Sequence, residues 1–369
     1  MSVGSRHYSF TGEGVASKPS VRPLVLPSYA KIAQILLGVC LTIALLYVGQ
    51  YVFIPIVFSA LFAILLTPGT DWLEQRKVPR VVAISIAVVL LVLVVSAVCY
   101  FTVLESSFLV QDVPQFTKKI DAMLTDVENY VSHHFSVSPK KQVDWVKEQL
   151  SSAGGFALFT VMAVGNFIQQ ATLVLVYIFL FLYYRGLFSN FVVHLFPSGE
   201  RETVIDILSR VGTVVNRYLI GKAIETAILV VLTTGGLMLL GIEQALLFGL
   251  LAGLLNLIPF IGVFIGSALP AIMALLTKDS IWYAVGVVGL FIVVQFIDNH
   301  VIVPVLIGGQ IRVNAVATIV ALIAGGELWG VSGLILSLPV VAILKIVCDQ
   351  VESLHPWGIL LGIPARKKQ

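Results

Sequence analysis

VVQFIDNHVIVPVLIGG, Val293 to Gly309, holds the pattern on which the rest of the chain turns. Gln295, Asp298, Asn299 and His300 interrupt an otherwise apolar segment that runs from Ile281 to Ile307, and Pro304 follows close behind. As a helix at 1.5 Å per residue the segment is about 40 Å long and sets Asp298 roughly 25 Å from Ile281. An ionised carboxylate near the middle of a bilayer costs about 2.5–3.5 kcal/mol on insertion scales, so Asp298 is predicted to be protonated, paired or hydrated. Gln295, Asp298 and Asn299 stand at i, i+3 and i+4 and share one helix face, whereas His300 is turned about 200° from Asp298. Pro304 has no N–H to donate and releases the His300 carbonyl at a similar depth. A polar face with a spare acceptor suits a transport path; the plainer alternative is polar contact between helices, at about 1 kcal/mol each.

Composition sets the surroundings. Of 369 residues 58% are hydrophobic and 12% charged, and the mean hydropathy is +0.99, far from the range of soluble domains. The expected fold is all-α: a polytopic helical membrane protein with about eight membrane segments. Two of these are broken, re-entrant helical hairpins, and amphipathic helices lie outside the membrane. Cys40, Cys99 and Cys348 fall in or beside apolar segments with no paired spacing, so neither a disulfide framework nor a metal motif is expected. His133 and His134 lack partners at ligand spacing. A net charge of +3 points to no nucleic-acid partner, and no cofactor is expected.

Residues 1–29, rich in Ser, Gly and Pro, form a predicted flexible tail that does not fit a signal peptide. Three membrane helices follow over 30–104: a first span from Ala30 to Val48, a second run ending near Leu66 after a short break at Gly49 to Pro55, and a third from Val81 to Leu104. The polar loop between the last two, Thr67 to Arg80, carries Arg76, Lys77 and Arg80, which places it and both termini on the cytoplasmic side. Residues 105–153, with seven acids and five bases, are predicted to hold two extracytoplasmic amphipathic helices. A fourth membrane helix lies in 154–184. A cytoplasmic amphipathic helix lies in 185–217, with Val204, Ile207, Leu208, Val211 and Val215 as its stripe, and it continues straight into the fifth span. There Lys222 and Glu225 stand at i, i+3, as an ion pair near the cytoplasmic end or as part of the path.

Residues 218–347 form the predicted transport core, and 348–369 a cytoplasmic C-terminus. Ala245 to Leu276 would span about 48 Å as one helix, too far for a hydrocarbon core of about 30 Å. Two half-helices meeting at Asn256 to Gly262 fit better, with Pro259 and Gly262 supplying the turn and Asn256 satisfying backbone groups exposed there. Asn314 to Val347 repeats the pattern, interrupted by AGGELWG with Gly325, Gly326 and Gly330. Pro270 and Pro339, like Pro304, break their helices. Two broken helices of similar size are a transporter signature.

Together with Pro68 and LEQRKVPR (Leu73 to Arg80), Ala83, Tyr218, Gly221, Lys222, Phe260, the IDNHVIVP run and Gly333, these residues resemble the AI-2E family, some members of which export the furanone signal autoinducer-2, from about residue 30 onward. Where relatives often carry His-Pro this chain has Asn314 and Ala315, and Glu327 occupies a variable position. The resemblance implies a multi-pass permease of the bacterial inner membrane that forms a homo-oligomer, a pentamer being one such size. It also implies that some members act as sodium or lithium/proton antiporters.

The leading expectation is a secondary, proton-driven transporter of a small polar solute such as autoinducer-2, not an enzyme. Its partners are the bilayer, protons and the solute or a monovalent cation. No G-x-x-x-x-G-K-[ST] motif is present, so ATP is not the direct energy source. Asp298 is the predicted coupling group with Gln295 and Asn299 beside it, and Glu225 and Glu327 are further carboxyl candidates. Freed carbonyls at Leu255, Gly266, His300 and Ile335 would accept from hydroxyls or coordinate a cation. The alternatives are a Na+(Li+)/H+ antiporter using the same residues and a membrane scaffold without transport. More remote is an intramembrane enzyme, which would need Asp298 and Glu327 brought together.

Overall fold

Where the apolar runs fall within the described residues they are helical. The computed structural model describes residues 28–105, 171–259, 261–307 and 313–363, and the chain divides into two compact units, Met1–Leu45 and Leu46–Gln369. In the first unit the described residues belong to α1 (Ser28–Val48). The expected extracytoplasmic helices over 105–153, nearly all of the 1–29 tail and the first part of the fourth span lie outside the described residues.

The second unit is helical throughout its described residues apart from turns and one isolated bridge between Val313 and Gly362. Its first helix, α2 (Gln50–Gln75), passes through the expected Gly49–Pro55 break and through much of the expected polar loop. Pro55 lies in its second turn, where little helix precedes it, and Pro68 costs a single ladder bond, which the structure repairs from outside. Only Arg76 to Pro79 form the turn, with Lys77 at φ 66°. Asp71 and Glu74 therefore stand on the last helical turns, where both hold Arg185. The helices α3 (Arg80–Glu105) and α4 (Ala171–Tyr183) close a bundle with α2 around Ala63, Ile84, Ile178 and Leu182. At Tyr184 the chain bends by 68° into α5 (Arg185–His194).

After a short 3-10 turn, α6 (Arg201–Leu239) runs 39 residues without interruption, so the amphipathic helix does lead straight into a span. Its buried residues, Tyr218, Gly221, Glu225, Leu229, Thr233 and Leu237, recur every three or four positions and mark one face. Against that face lie the two hairpins and the Asp298 helix. In lipid, helix association relies on close packing rather than on the hydrophobic effect, so small residues sit at such contacts. At Gly221 an added Cβ would come within 2.8 Å of the Leu306 carbonyl oxygen.

The first hairpin is α7 (Ala245–Leu255) and α8 (Ile261–Thr277). A Cβ on Gly262 would lie 1.9 Å from the Leu255 carbonyl oxygen, and one on Gly266 would lie 3.1 Å from Ala252 Cα. Both pairs are centred near Pro259, so the arms run back along each other. The second hairpin lies within α11 (Ala315–Gln350), where helical geometry fails at Trp329 and at Gly330, whose φ of 59° favours glycine. A Cβ on Gly333 would sit 1.8 Å from the Gly325 carbonyl oxygen, and Ser337 Oγ lies 2.9 Å from the Ala321 carbonyl oxygen. These pairs centre on Trp329. The turn thus falls at the C-terminal edge of the expected AGGELWG break, and Gly325 and Gly326 belong to an arm, not to the turn.

Between the hairpins come α9 (Ile281–Ile297), a π-helical turn at Asp298–Ile302 and α10 (Val303–Leu306). The last helix, α12 (His355–Leu361), folds back on the start of α11. Ala245 and Ala274, at the mouth of the first hairpin, cluster with Leu237 at the C-terminal end of α6. Val340 and Ile343 of the second hairpin cluster with Val211 and Val215 in its first half. The two hairpins therefore enter from opposite ends of α6. By length and composition five helices among the described residues can cross a membrane, or six if the bent α4–α5 pair is one span; α1 and the arms of the first hairpin are shorter apolar helices.

Candidate functional site

Glu225 is the most deeply placed charge on the buried face of α6, at 1% exposure. Its Oε1 accepts from Lys222 Nζ at 2.6 Å, as the i, i+3 spacing predicts, and from Asn256 Nδ2 at 3.0 Å. Asn256 was expected to satisfy backbone groups at its own corner. Those groups are met locally instead: Ile258 N–H donates to the Leu255 carbonyl and Gly262 N–H to that of Ile258. Leu255 therefore has no free carbonyl, and the Asn256 amide is released to reach α6.

Asp298 is 2% exposed and opens the π turn. There Val303 N–H reaches back five residues to the Asp298 carbonyl. Pro304 donates nothing in the next step, so at least one carbonyl of Asn299 and His300 lacks its helical donor. His300 was the predicted released acceptor, and the π turn makes the Asn299 carbonyl a candidate beside it. Gln295 Nε2 donates to Asp298 Oδ2 at 3.3 Å and to Asn299 Oδ1 at 3.2 Å, so the predicted three-residue face exists. His300 points elsewhere, its Nδ1 3.0 Å from the Phe296 carbonyl and its ring stacked on Phe296.

Leu229, one turn after Glu225, clusters with Val294 and Ile302 on either side of Asp298, and Gly221, one turn before Glu225, meets the Leu306 carbonyl, so the π turn packs on the Glu225 stretch of α6. The corner of the first hairpin, the π turn and the middle of α6 thus build one polar centre with two carboxyl groups and one ammonium. Glu225 Oε2, Asp298 Oδ1 and the neighbouring Thr226 Oγ1 are all buried without a hydrogen-bond partner. Buried polar atoms are nearly always satisfied, so three such oxygens on adjacent elements mark a place able to take a proton, a cation or a hydroxyl-bearing solute. Among the described residues no three or more His, Cys, Asp or Glu side chains gather into a metal-binding group.

Glu327 is exposed, two residues before Trp329, and makes no hydrogen bond or ion pair among the described residues. The carboxyl on the stretch of α6 that the π turn packs against is Glu225. Pro259 lies in the first corner, and Gly262 allows its close approach. Pro270 and Pro339 lie inside helical arms, where the carbonyls of Gly266 and Ile335 lose their ladder donors.

Three side chains outside the predicted set hold the frame. Asn216 Nδ2 donates at 2.8 Å to the Ile64 carbonyl, the one that Pro68 leaves without a donor. Trp329 Nε1 donates at 3.0 Å to the Leu46 carbonyl at the end of α1. Asn314 caps α11 through Oδ1 and donates through Nδ2 to the Leu360 and Gly362 carbonyls. A proline's i−4 carbonyl and an Asn before an apolar run are visible in a sequence, but the distant partners are not.

Two helical hairpins entering from opposite ends of a long helix, with a buried carboxyl group on that helix and another on the π turn packed against it, fit a multi-pass membrane transporter. The chain belongs to the AI-2E transporter family, whose model matches residues 36–353. YrrI of Bacillus subtilis (strain 168) is 26% identical over 303 residues, covering 80% of this chain and 85% of its own. MT0215 of Mycobacterium tuberculosis (strain CDC 1551 / Oshkosh) is 28% identical, covering 88% and 90%. Both carry provisional names as transport proteins. The AI-2 transport protein TqsA of Escherichia coli (strain K12) is 24% identical, covering 84% and 89%. The family is one of transport proteins, not of enzymes.

Proposed function

We propose that this protein is a secondary transporter that exports a small polar solute such as autoinducer-2 across the bacterial inner membrane at the expense of a proton gradient, with Asp298 and Glu225 as the proton-carrying pair. The observation that carries this reading is the shared burial of the two carboxyl groups, each with one unpartnered oxygen, beside a single lysine. Two carboxylates and one ammonium leave one negative charge in a water-poor place, and a proton is the smallest species that neutralises it. Gln295, Asn299 and the released carbonyl at Asn299–His300 offer donors and acceptors to a hydroxyl-rich solute. Support for the solute class comes from TqsA, which is named for AI-2 transport. Both termini are assigned to the cytoplasm by the basic residues around α2 and after α10, and the working unit to a homo-oligomer.

A second reading, a Na+(Li+)/H+ antiporter, is favoured by the same unpartnered oxygens, because Glu225 Oε2, Asp298 Oδ1 and a free backbone carbonyl are hard oxygen donors suited to a small cation. Proteoliposomes separate the two. Proton movement that requires external Na+ or Li+ supports antiport. Proton-driven movement of labelled furanone without any cation effect supports export. Asp298→Asn that assembles normally and transports at the wild-type rate refutes the role of Asp298 in both readings, and wild-type protein that moves neither furanone nor cation leaves a scaffold.

A further inference from the structure

The first hairpin has no charged or titratable side chain from Ala245 to Thr277, yet its corner is fastened to the most buried charge among the described residues. We propose that Asn256 is a positioning residue that couples the corner of the first hairpin to the charge on Glu225, holding the corner against α6 while that carboxylate is ionised and releasing it when the charge is neutralised. This deepens the transport reading above and rests on it.

The geometry is specific. Asn256 Nδ2 lies 3.0 Å from Glu225 Oε1, the oxygen that also takes Lys222 Nζ, while Oε2 has no partner. A hydrogen bond to an ionised carboxylate is about twice as strong as a neutral one. A proton or cation arriving at the open Oε2 withdraws negative charge from Oε1 and weakens the bond from the amide. Lys222, on α6 itself, stays in place and competes for Oε1. Among the described residues the other hydrogen bonds at the corner are internal to the hairpin. Gly253, one turn before Asn256, lies against Val230 and the Thr226 carbonyl, so an inward or outward swing of the corner moves a close contact along α6.

The other groups that bear on Glu225 are few. Tyr218 and Lys222 share its helix, and the π turn packed against that helix carries Asp298 and also His300, which is turned onto Phe296. The α9 and α10 segments bring no other charged group to it. The charges of α11 near α6, Lys345 and Asp349, pair with each other. Those at the end of α2, Asp71 and Glu74, are taken by Arg185.

Hydrogen exchange read by mass spectrometry on the full-length protein in lipid nanodiscs tests the coupling, following the corner amides of Leu257, Ile258 and Gly262. With intrinsic pH effects on chemical exchange divided out, wild-type opening is expected to increase about tenfold or more between pH 9 and pH 5, while amides beside Gly330 in the second corner do not follow. Glu225→Gln and Asn256→Ala are each expected to open the corner at every pH and to flatten the profile, whereas Asp298→Asn keeps a pH response. If Asn256 only braced the fold, Asn256→Ala would raise exchange equally at all pH values with the slope retained, and that result overturns the proposal. So does a wild-type corner whose opening ignores pH, an outcome that needs no variant to fold. Flux lost in Asp298→Asn alongside a pH-indifferent corner rejects the coupling but keeps the transport reading; a pH-sensitive corner with full Asp298→Asn flux does the reverse.

Discussion

Replacing Lys222 with methionine should be among the most damaging single changes in the membrane core, because it strands Glu225. The pair lies 2.6 Å apart, with the Lys222 side chain 18% and the Glu225 side chain 1% exposed. At an effective dielectric constant of 20 that separation corresponds to about 6 kcal/mol of attraction before desolvation is charged against it. Removing one partner of a buried pair typically costs 3–5 kcal/mol, since the survivor is left buried and uncompensated. Asn256 remains as a donor but brings no positive charge. The expected fall in melting temperature is on the order of 10 °C, taking 2–4 °C per kcal/mol as for domains of 150–250 residues. A double-mutant cycle measured by thermal unfolding in detergent separates charge from packing. Lys222→Met should be severe and Glu225→Gln milder, because a lysine freed near the helix surface can reach water with its long stem. The double variant should recover most of the loss. Additive effects, with a coupling below about 0.5 kcal/mol, would show that the two charges do not depend on each other.

Three further outcomes are expected. Asn216→Ala leaves the Ile64 carbonyl without a donor and should cost about 1–3 kcal/mol, most of it restored by adding Pro68→Ala, whose new N–H serves that carbonyl; thermal melts of the single and double variants check this. Gly262→Ala and Gly333→Ala each place a methyl group inside 2 Å of a backbone oxygen and should abolish accumulation of folded protein, whereas Gly289→Ala, with nothing within 4 Å, should be neutral in size-exclusion chromatography. Asn314→Asp keeps the cap acceptor but loses both amide bonds to Leu360 and Gly362, so limited proteolysis should release α12 sooner than in wild type, and Asn314→Ala should add a loss of about 1 kcal/mol in stability.

Much of this architecture could be read from residue order, because lipid constrains helices so tightly. A run of 32 apolar residues is too long to cross once, which forced a break between Ala245 and Leu276, and Pro259 and Gly262 placed it. The second break was located less well. AGGELWG offers several glycines, and only the backbone shows that Gly330 makes the turn while Gly325 and Gly333 provide the close approach of the arms. Asp298 with Gln295 and Asn299 was legible from helical spacing alone. Its relation to Glu225 was not, since 73 residues separate them and no periodicity connects α6 with the π turn. The role of Asn256 was misassigned for the same reason: a corner asparagine ordinarily serves its own turn, and here the turn is already satisfied. The Thr67–Arg80 segment misled through its polarity, because proline and charged side chains near the end of a span extend the helix into the interface instead of ending it there.

The central claim is that the Asp298–Glu225 pair carries the charge that is moved. Its most direct measurement is proton flux into proteoliposomes containing the full-length protein, recorded with an internal pH dye under an imposed gradient, with furanone or with Na+ and Li+ supplied in turn. Wild type should show substrate-dependent flux, and Asp298→Asn and Glu225→Gln should each lose at least tenfold with unchanged reconstitution yield. Wild-type flux in either variant would contradict the claim.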